Sequence, residues 1–190
     1  MNLFPMFVKL EGRRCLVVGA GSVAESKIES LLTAGALVHV VAPKATPKVR
    51  EWARDGRIEL SAREYVPGDL GGVFLVIAAT NSPALHDDIY AEAQSRGVLC
   101  NAVDEPQRCD FYFPAVVRRG ELQIAISTGG LSPALAQRLR RDLEQQYGPE
   151  WEQWLEQLGR TRDELKSIPM PPEQRKRILH QYASLDPEVR

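Results

Sequence analysis

Arg14-Cys15-Leu16-Val17-Val18-Gly19-Ala20-Gly21-Ser22-Val23-Ala24 is the stretch on which the reading of the fold turns. Its first half is a short apolar run ending in glycine, the pattern of a strand buried on both faces of a parallel sheet. Its second half fits G-x-G-x-x-[GA], placed directly after that strand and opening a helix. Gly19 lets the chain turn sharply, Gly21 lets backbone approach a pyrophosphate, and Ala24 keeps the helix close to the sheet. The helix start adds unpaired N–H groups and the positive end of the helix dipole, which suit phosphate. Such a motif alone is weak, because a tight strand-to-helix turn needs no ligand. The strand before it, and the helix, turn and strand after it, raise its weight.

Outward from this turn the period alternates. A helix is predicted over 22–34, with Ala24, Ile28, Leu31 and Leu32 on one side and Gly35 as its stop. Leu37 to Val41 reads as the second strand. Thr46 to Asp55 reads as a helix with a threonine cap and proline at its first position. Arg57 to Ser61 is a weaker strand. Val73 to Ala79, the most apolar run, should be central; a helix opens at Ser82-Pro83 and runs to about Arg96, and Val98 to Val103 is the next strand. This alternation predicts an α/β fold, a Rossmann-like doubly wound parallel sheet. One element of the dinucleotide pattern is missing. An acidic residue is expected at the end of the second strand to hold a ribose, and Val41-Ala42-Pro43-Lys44 stands there instead. Lys44 could even favour a 2′-phosphate, so the residues alone leave NAD and NADP open.

Beyond residue 110 the pattern changes. Phe111 to Val117 and Glu121 to Ser127 flank Arg118-Arg119-Gly120 as an antiparallel hairpin. Helical patterns follow over 131–146, around Trp151, Trp154, Leu155 and Leu158, and over 172–183. The apolar stripe of the middle one needs a partner surface, as core or as a dimer contact. Ser127-Thr128-Gly129-Gly130 feeds a helix starting near Ser132-Pro133, a second candidate anion cradle that could equally be a capped helix start.

Bulk properties narrow the function classes. Net charge is −1, which gives no global field for nucleic acid. No apolar run reaches the roughly 18 residues of a membrane span, and Met-Asn-Leu-Phe-Pro-Met-Phe lacks the features of a signal peptide, so a cytoplasmic protein is expected. Cys15, Cys100 and Cys109 form no CxxC pair, which argues against a disulfide framework and a cysteine-built metal site. His39, His86 and His180 have no ligand spacing; His39 reads as structural, His86 and His180 as helix-surface residues, and no metal ligands are assigned.

Several landmarks together resemble the precorrin-2 dehydrogenase/sirohydrochlorin ferrochelatase family, including the N-terminal module of siroheme synthase. They are Phe4-Pro5-Met6-Phe7, the run from Val17 to Ala24, Lys27, Leu31-Leu32, Gly35-Ala36, Val40-Val41-Ala42-Pro43 and Ile77-Ala78-Ala79-Thr80. Then come Cys100-Asn101-Ala102-Val103-Asp104, Phe111 through Phe113-Pro114, and the run from Ile124 to Pro133, which is far more specific than the glycine motif. The likeness covers about residues 1–145. Ala-Pro at the second strand end is this family's own pattern, and the family uses NAD. One departure is Ser26 before Lys27, where the family commonly has arginine; this puts cofactor affinity in question.

The resemblance implies an NAD-binding Rossmann-like domain over 1–113, a dimerisation segment over 114–147 that forms a homodimer, and a small helical C-terminal domain over 148–190. It implies removal of two hydrogens from precorrin-2, with hydride passing to NAD, to give sirohydrochlorin. Some members also insert ferrous iron. Asp104 matches the family's key aspartate; it stands at a strand's C-terminal end, where a carboxylate could accept a proton, although Asp-Glu-Pro is also ordinary turn chemistry. Cofactor contacts are expected from Gly19, Gly21, Ser22, Val23, Ala24, Ala42, Pro43, Lys44, Ala79 and Thr80. The eight carboxylates of the substrate call for converging bases, with Arg108, Arg118, Arg119 and Arg138 as candidates. Asn101, Ser127, Thr128, Gly129, Gly130 and Ser132 complete the expected substrate contacts. Two alternatives stand beside this: a bifunctional dehydrogenase and ferrochelatase, and a non-catalytic module that senses NAD. A sensor has no need of the Asn-Ala-Val-Asp strand end or of the second anion cradle.

Overall fold

The computed structural model describes residues 3–185 and 187; the outermost ends of the first and last expected segments, residues 1–2, 186 and 188–190, lie outside the described residues. The chain divides into two compact units at Tyr112/Phe113.

The first unit is a five-stranded, all-parallel sheet. Its strands are β1 (Arg14–Val18), β2 (Leu37–Val41), β3 (Glu59–Ser61), β4 (Leu75–Ala78) and β5 (Leu99–Ala102), in the spatial order β3-β2-β1-β4-β5. The crossovers carry α1 (Ser22–Thr33), α2 (Pro47–Arg54) and α3 (Pro83–Arg96). The Rossmann-like sheet expected from the alternation is therefore present. Strand order reverses between β1 and β4, so a crevice opens beyond their C-terminal ends, where such sheets bind ligands. Leu16, Val17, Val76 and Ile77 are fully buried because both faces of these strands are covered. Each such aliphatic side chain contributes about 1.5–3 kcal/mol.

The crossover from β3 to β4 has no helix. Leu70 anchors it in the core, and polar ties hold the rest. Arg63 grips Asp69 through both guanidinium nitrogens at 2.8 and 2.7 Å, and Glu92 accepts from Tyr65 Oη and from the Gly68 N–H. The Arg63 hydrogen bond is the main reason the Asp69 carboxyl titrates below its usual range. Cys15 and Cys100 lie in the core, where burial pushes their thiols up to about 11 and about 12.

The second unit holds an antiparallel pair, β6 (Ala115–Arg119) and β7 (Leu122–Ile126), and three helices, α4 (Pro133–Gln146), α5 (Glu150–Ser167) and α6 (Pro172–Ala183). β6 starts at Ala115 because Pro114 has no N–H to give a ladder. The hairpin turns on Gly120-Glu121, with Gly120 at φ 55, so Arg118 and Arg119 lie in the strand and not in the turn as expected. α5 carries the predicted apolar stripe, with Trp154 buried and Trp151, Leu155 and Leu158 half-buried. Among the described residues, no helix is long and apolar enough to cross a membrane.

Candidate active site

The glycine turn is built by close backbone approach. Gly19 has φ 105 and donates its N–H to the Val41 carbonyl at 2.9 Å, while Thr46 N–H donates to the Ala20 carbonyl at 3.1 Å. A Cβ on Gly19 would overlap the carbonyl of Ala79, standing 2.8 Å from its carbon. Gly19 is thus required by the neighbouring strand end. Gly21 differs: it is extended, and a Cβ there would meet no atom of the chain within 4 Å. The space in front of Gly21 is free for a ligand.

α1 begins on Gly21, which has no side chain to cap the helix. α2 and α3, by contrast, receive side-chain caps from Thr46 and Ser82. The exposed first turn of α1, with Ser22 and Val23, therefore keeps donors for an outside anion. Ala79 and Thr80, half-buried, follow β4 across the crevice, and exposed Pro43 and Lys44 follow β2 after buried Ala42. These residues fit a dinucleotide: an open cradle, an uncapped helix start and a strand-end crevice meet at one edge of the sheet.

Asp104 stands two residues beyond β5 on the same edge. It is exposed and is the non-glycine residue with positive φ among the described residues, at 63°. Asp tolerates this conformation better than most side chains, yet it carries strain that the surroundings must sustain. Val103 N–H donates to the Ala78 carbonyl at 2.9 Å and Glu105 N–H to the Ala102 carbonyl at 3.2 Å, holding the turn from both sides. Lys27 of α1 feels the charge of Asp104; burial pulls its ammonium below its ordinary range and Asp104 works against that. Lys27, a landmark of the resemblance, thus lies within reach of the Asp104 charge.

Other expected residues are engaged within the chain. Asn101 is buried and donates to the Phe111 carbonyl at 2.7 Å, fastening the segment that returns beside β5. Arg108 is paired with Asp87 at 2.5 Å and with Glu105. In the second unit, strand alternation sends Arg118 and Arg119 to opposite faces, so the hairpin does not bring them together. Arg118 is exposed, whereas Arg119 donates to the Glu144 carbonyl at 3.0 Å and to the Arg118 carbonyl at 2.8 Å. Exposed Arg138 lies 3.9 Å from Asp142.

The 127–132 loop makes two successive left-handed steps, Gly129 at φ 61 and Gly130 at φ 82, which explains the glycine pair. Several of its donors are satisfied internally. Gly129 N–H donates to Ser127 Oγ, Ser132 N–H to Thr128 Oγ1 and Leu135 N–H to Ser132 Oγ, each at 3.2 Å. Half-buried Thr128 uses its hydroxyl oxygen as an acceptor here, which leaves the hydroxyl proton able to donate. Within this loop Leu131 is 92% exposed.

The residue the sequence reading missed is His86. It was expected on the helix surface, but it is 3% exposed. Its spacing to Ile89 and Ala93, three and seven residues on, is the buried stripe of α3, and that spacing was the available signal.

Comparison with known proteins agrees with this geometry. A family model described as "Putative NAD(P)-binding" matches residues 6–115, and one described as "Sirohaem biosynthesis protein central" matches residues 119–146. Siroheme synthase 2 of Yersinia pestis bv. Antiqua (strain Nepal516) is 42% identical over 144 residues, which cover 76% of this chain and 31% of that protein. Siroheme synthase of Nitrosococcus oceani is 41% identical over 152 residues, covering 78% and 32%. The chain thus spans about a third of the length of the curated relatives it matches. The solved structure of SirC, a precorrin-2 dehydrogenase, superposes with a TM-score of 0.80 at 26% identity, covering 99% of this chain and 93% of that one. The glycine turn, the strand order and these matches place the chain in the NAD(P)-binding family of sirohaem biosynthesis to which siroheme synthase and precorrin-2 dehydrogenase belong.

Proposed function

We propose that the chain is an NAD-dependent precorrin-2 dehydrogenase that removes two hydrogens from precorrin-2 to give sirohydrochlorin. The observation that carries this reading is Asp104, an exposed carboxylate held at the edge of the dinucleotide crevice in a chain similar along nearly its whole length to SirC. Bound NAD supplies the two-electron acceptor. The first turn of α1 and the Gly21 cradle would hold its pyrophosphate, and Ala42, Pro43, Lys44, Ala79 and Thr80 would supply the remaining cofactor contacts. NAD is chosen over NADP on the likeness to the family, since the end of β2 offers neither an acid nor a formed phosphate site.

Asp104 accepts the proton that must leave the macrocycle as its two electrons depart, then returns it to water; the products are sirohydrochlorin, NADH and a proton. Substrate carboxylates are met by Thr128 and the loop from Ser127 to Ser132, with Arg118 as the hairpin's exposed base. Asn101 and Arg108 serve the substrate indirectly, through the shape of the Asp104 turn, and Arg119 through the anchoring of β6 to α4. Segment 114–147 serves as the dimerisation segment of a homodimer and 148–190 as the helical domain.

Mixing the protein with precorrin-2 and NAD should produce NADH absorbance in step with sirohydrochlorin, with NADP a poorer acceptor. Retained NAD binding without NADH growth would reduce the protein to a nucleotide-binding module. Thr128→Ala is expected to raise KM for precorrin-2 about tenfold, the size of one charge-assisted hydrogen bond, with NAD affinity unchanged; steady-state kinetics in each substrate checks it.

A further inference from the structure

His86 is a buried titratable group for which the mechanism above has no use. It sits on α3, and both of its ring nitrogens are engaged. Thr80 N–H points at Nε2 over 3.4 Å, and Nδ1 lies 2.9 Å from Glu105 Oε1. A backbone N–H can only donate, so Nε2 is the acceptor and the ring proton resides on Nδ1, donated to Glu105. That hydrogen bond is the largest reason the Glu105 carboxyl titrates below its usual range. Glu105 in turn pairs with Arg108, and Arg108 pairs with Asp87, the neighbour of His86 on α3. The loop of contacts closes on the helix from which it began.

The two ends of this ring are distinct. Thr80 belongs to the crevice after β4. Glu105 follows Asp104, whose left-handed backbone persists only where the surroundings over-determine it. We propose that His86 is a positioning residue that ties the Thr80 turn of the dinucleotide crevice to the Asp104 turn, so that one imidazole sets both the cofactor's seat and the carboxylate's. This rests on the reading of Asp104 and Thr80 as parts of a dehydrogenase site.

The two nitrogens can be removed separately. His86→Gln keeps an acceptor near Nε2, and His86→Asn keeps a donor near Nδ1. With the Gln variant, NAD affinity should stay within about twofold and kcat should fall about tenfold. The Asn variant should do the reverse, and His86→Phe, which keeps the bulk, should lose both. NAD titration, precorrin-2 kinetics and thermal melting on the full chain give the three readouts. Both constants unchanged in all three variants, or both falling together in step with the melting temperature, would overturn the tie and leave His86 as packing. Should the core variants fail to fold, Glu105→Ala at a half-buried position must lower kcat about tenfold without changing NAD affinity; an unchanged kcat would overturn the proposal. The NAD arm needs no precorrin-2. A wild-type protein inactive on precorrin-2 therefore removes the proposed function, while the Asn-against-Gln contrast in NAD binding still decides the role of His86.

Discussion

Asp104→Asn is expected to lower kcat for precorrin-2 oxidation by about a hundred- to ten-thousandfold, the usual worth of a positioned proton acceptor. Asn is the informative replacement because it too tolerates a φ of 63°, so the turn survives and the basic oxygen alone is lost. Alanine would add the cost of a left-handed backbone and blur the result. NAD affinity should stay within about threefold, because the pyrophosphate seat belongs to α1 and the β1 turn. The variant removes a negative charge that raises the Lys27 pKa, which disfavours the charged form of Lys27 further. Single-turnover NADH formation and NAD titration, measured on one preparation, check the split. A variant turning over at the wild-type rate would remove Asp104 from the chemistry.

The second large effect separates the two glycines of the turn. Gly19→Ala places a methyl group against the Ala79 carbonyl at a backbone conformation that L-residues rarely adopt. Backbone strain and overpacking each cost about 1–3 kcal/mol, so a fall in melting temperature of roughly 10 °C is expected, along with loss of NAD binding. Gly21→Ala meets no atom of the chain and has an allowed φ of −83°. Its melting temperature should hold or rise slightly, since alanine reduces the freedom of the unfolded chain. NAD affinity should nevertheless fall about tenfold or more, because the methyl group occupies the space where pyrophosphate approaches. Melting curves with and without NAD distinguish the two: Gly19→Ala loses stability in both, and Gly21→Ala loses only the shift produced by NAD. If Gly21→Ala bound NAD as tightly as the wild type, the empty space before α1 would not be the pyrophosphate seat.

The 127–132 loop is in large part a self-capped turn. Ser127 and Thr128 already answer two of its N–H groups, and Ser132 answers one in the first turn of α4. A cradle that caps itself can receive a carboxylate only through donors left over, and the Thr128 hydroxyl proton is one of them. Thr128→Ala therefore tests the loop more sharply than changing its glycines, which would disturb the left-handed steps at 129 and 130.

The local signals carried the architecture. The apolar runs of β1 and β4 read as strands covered on both faces, and Gly-x-Gly-x-x-Ala after the first reads as a turn into a closely packed helix, because each signal depends on neighbours within a few residues. The position of Asp104 at a strand end was legible for the same reason. What remained was decided by the tertiary structure. The left-handed backbone of Asp104, the burial of His86 between Thr80 and Glu105, the neutralisation of Arg108 by Asp87, and the parting of Arg118 from Arg119 depend on partners 3 to 25 residues away or on strand register. A charged side chain looks the same in a sequence whether it awaits a ligand or is already matched by another charge; only the folded chain determines which charges cancel.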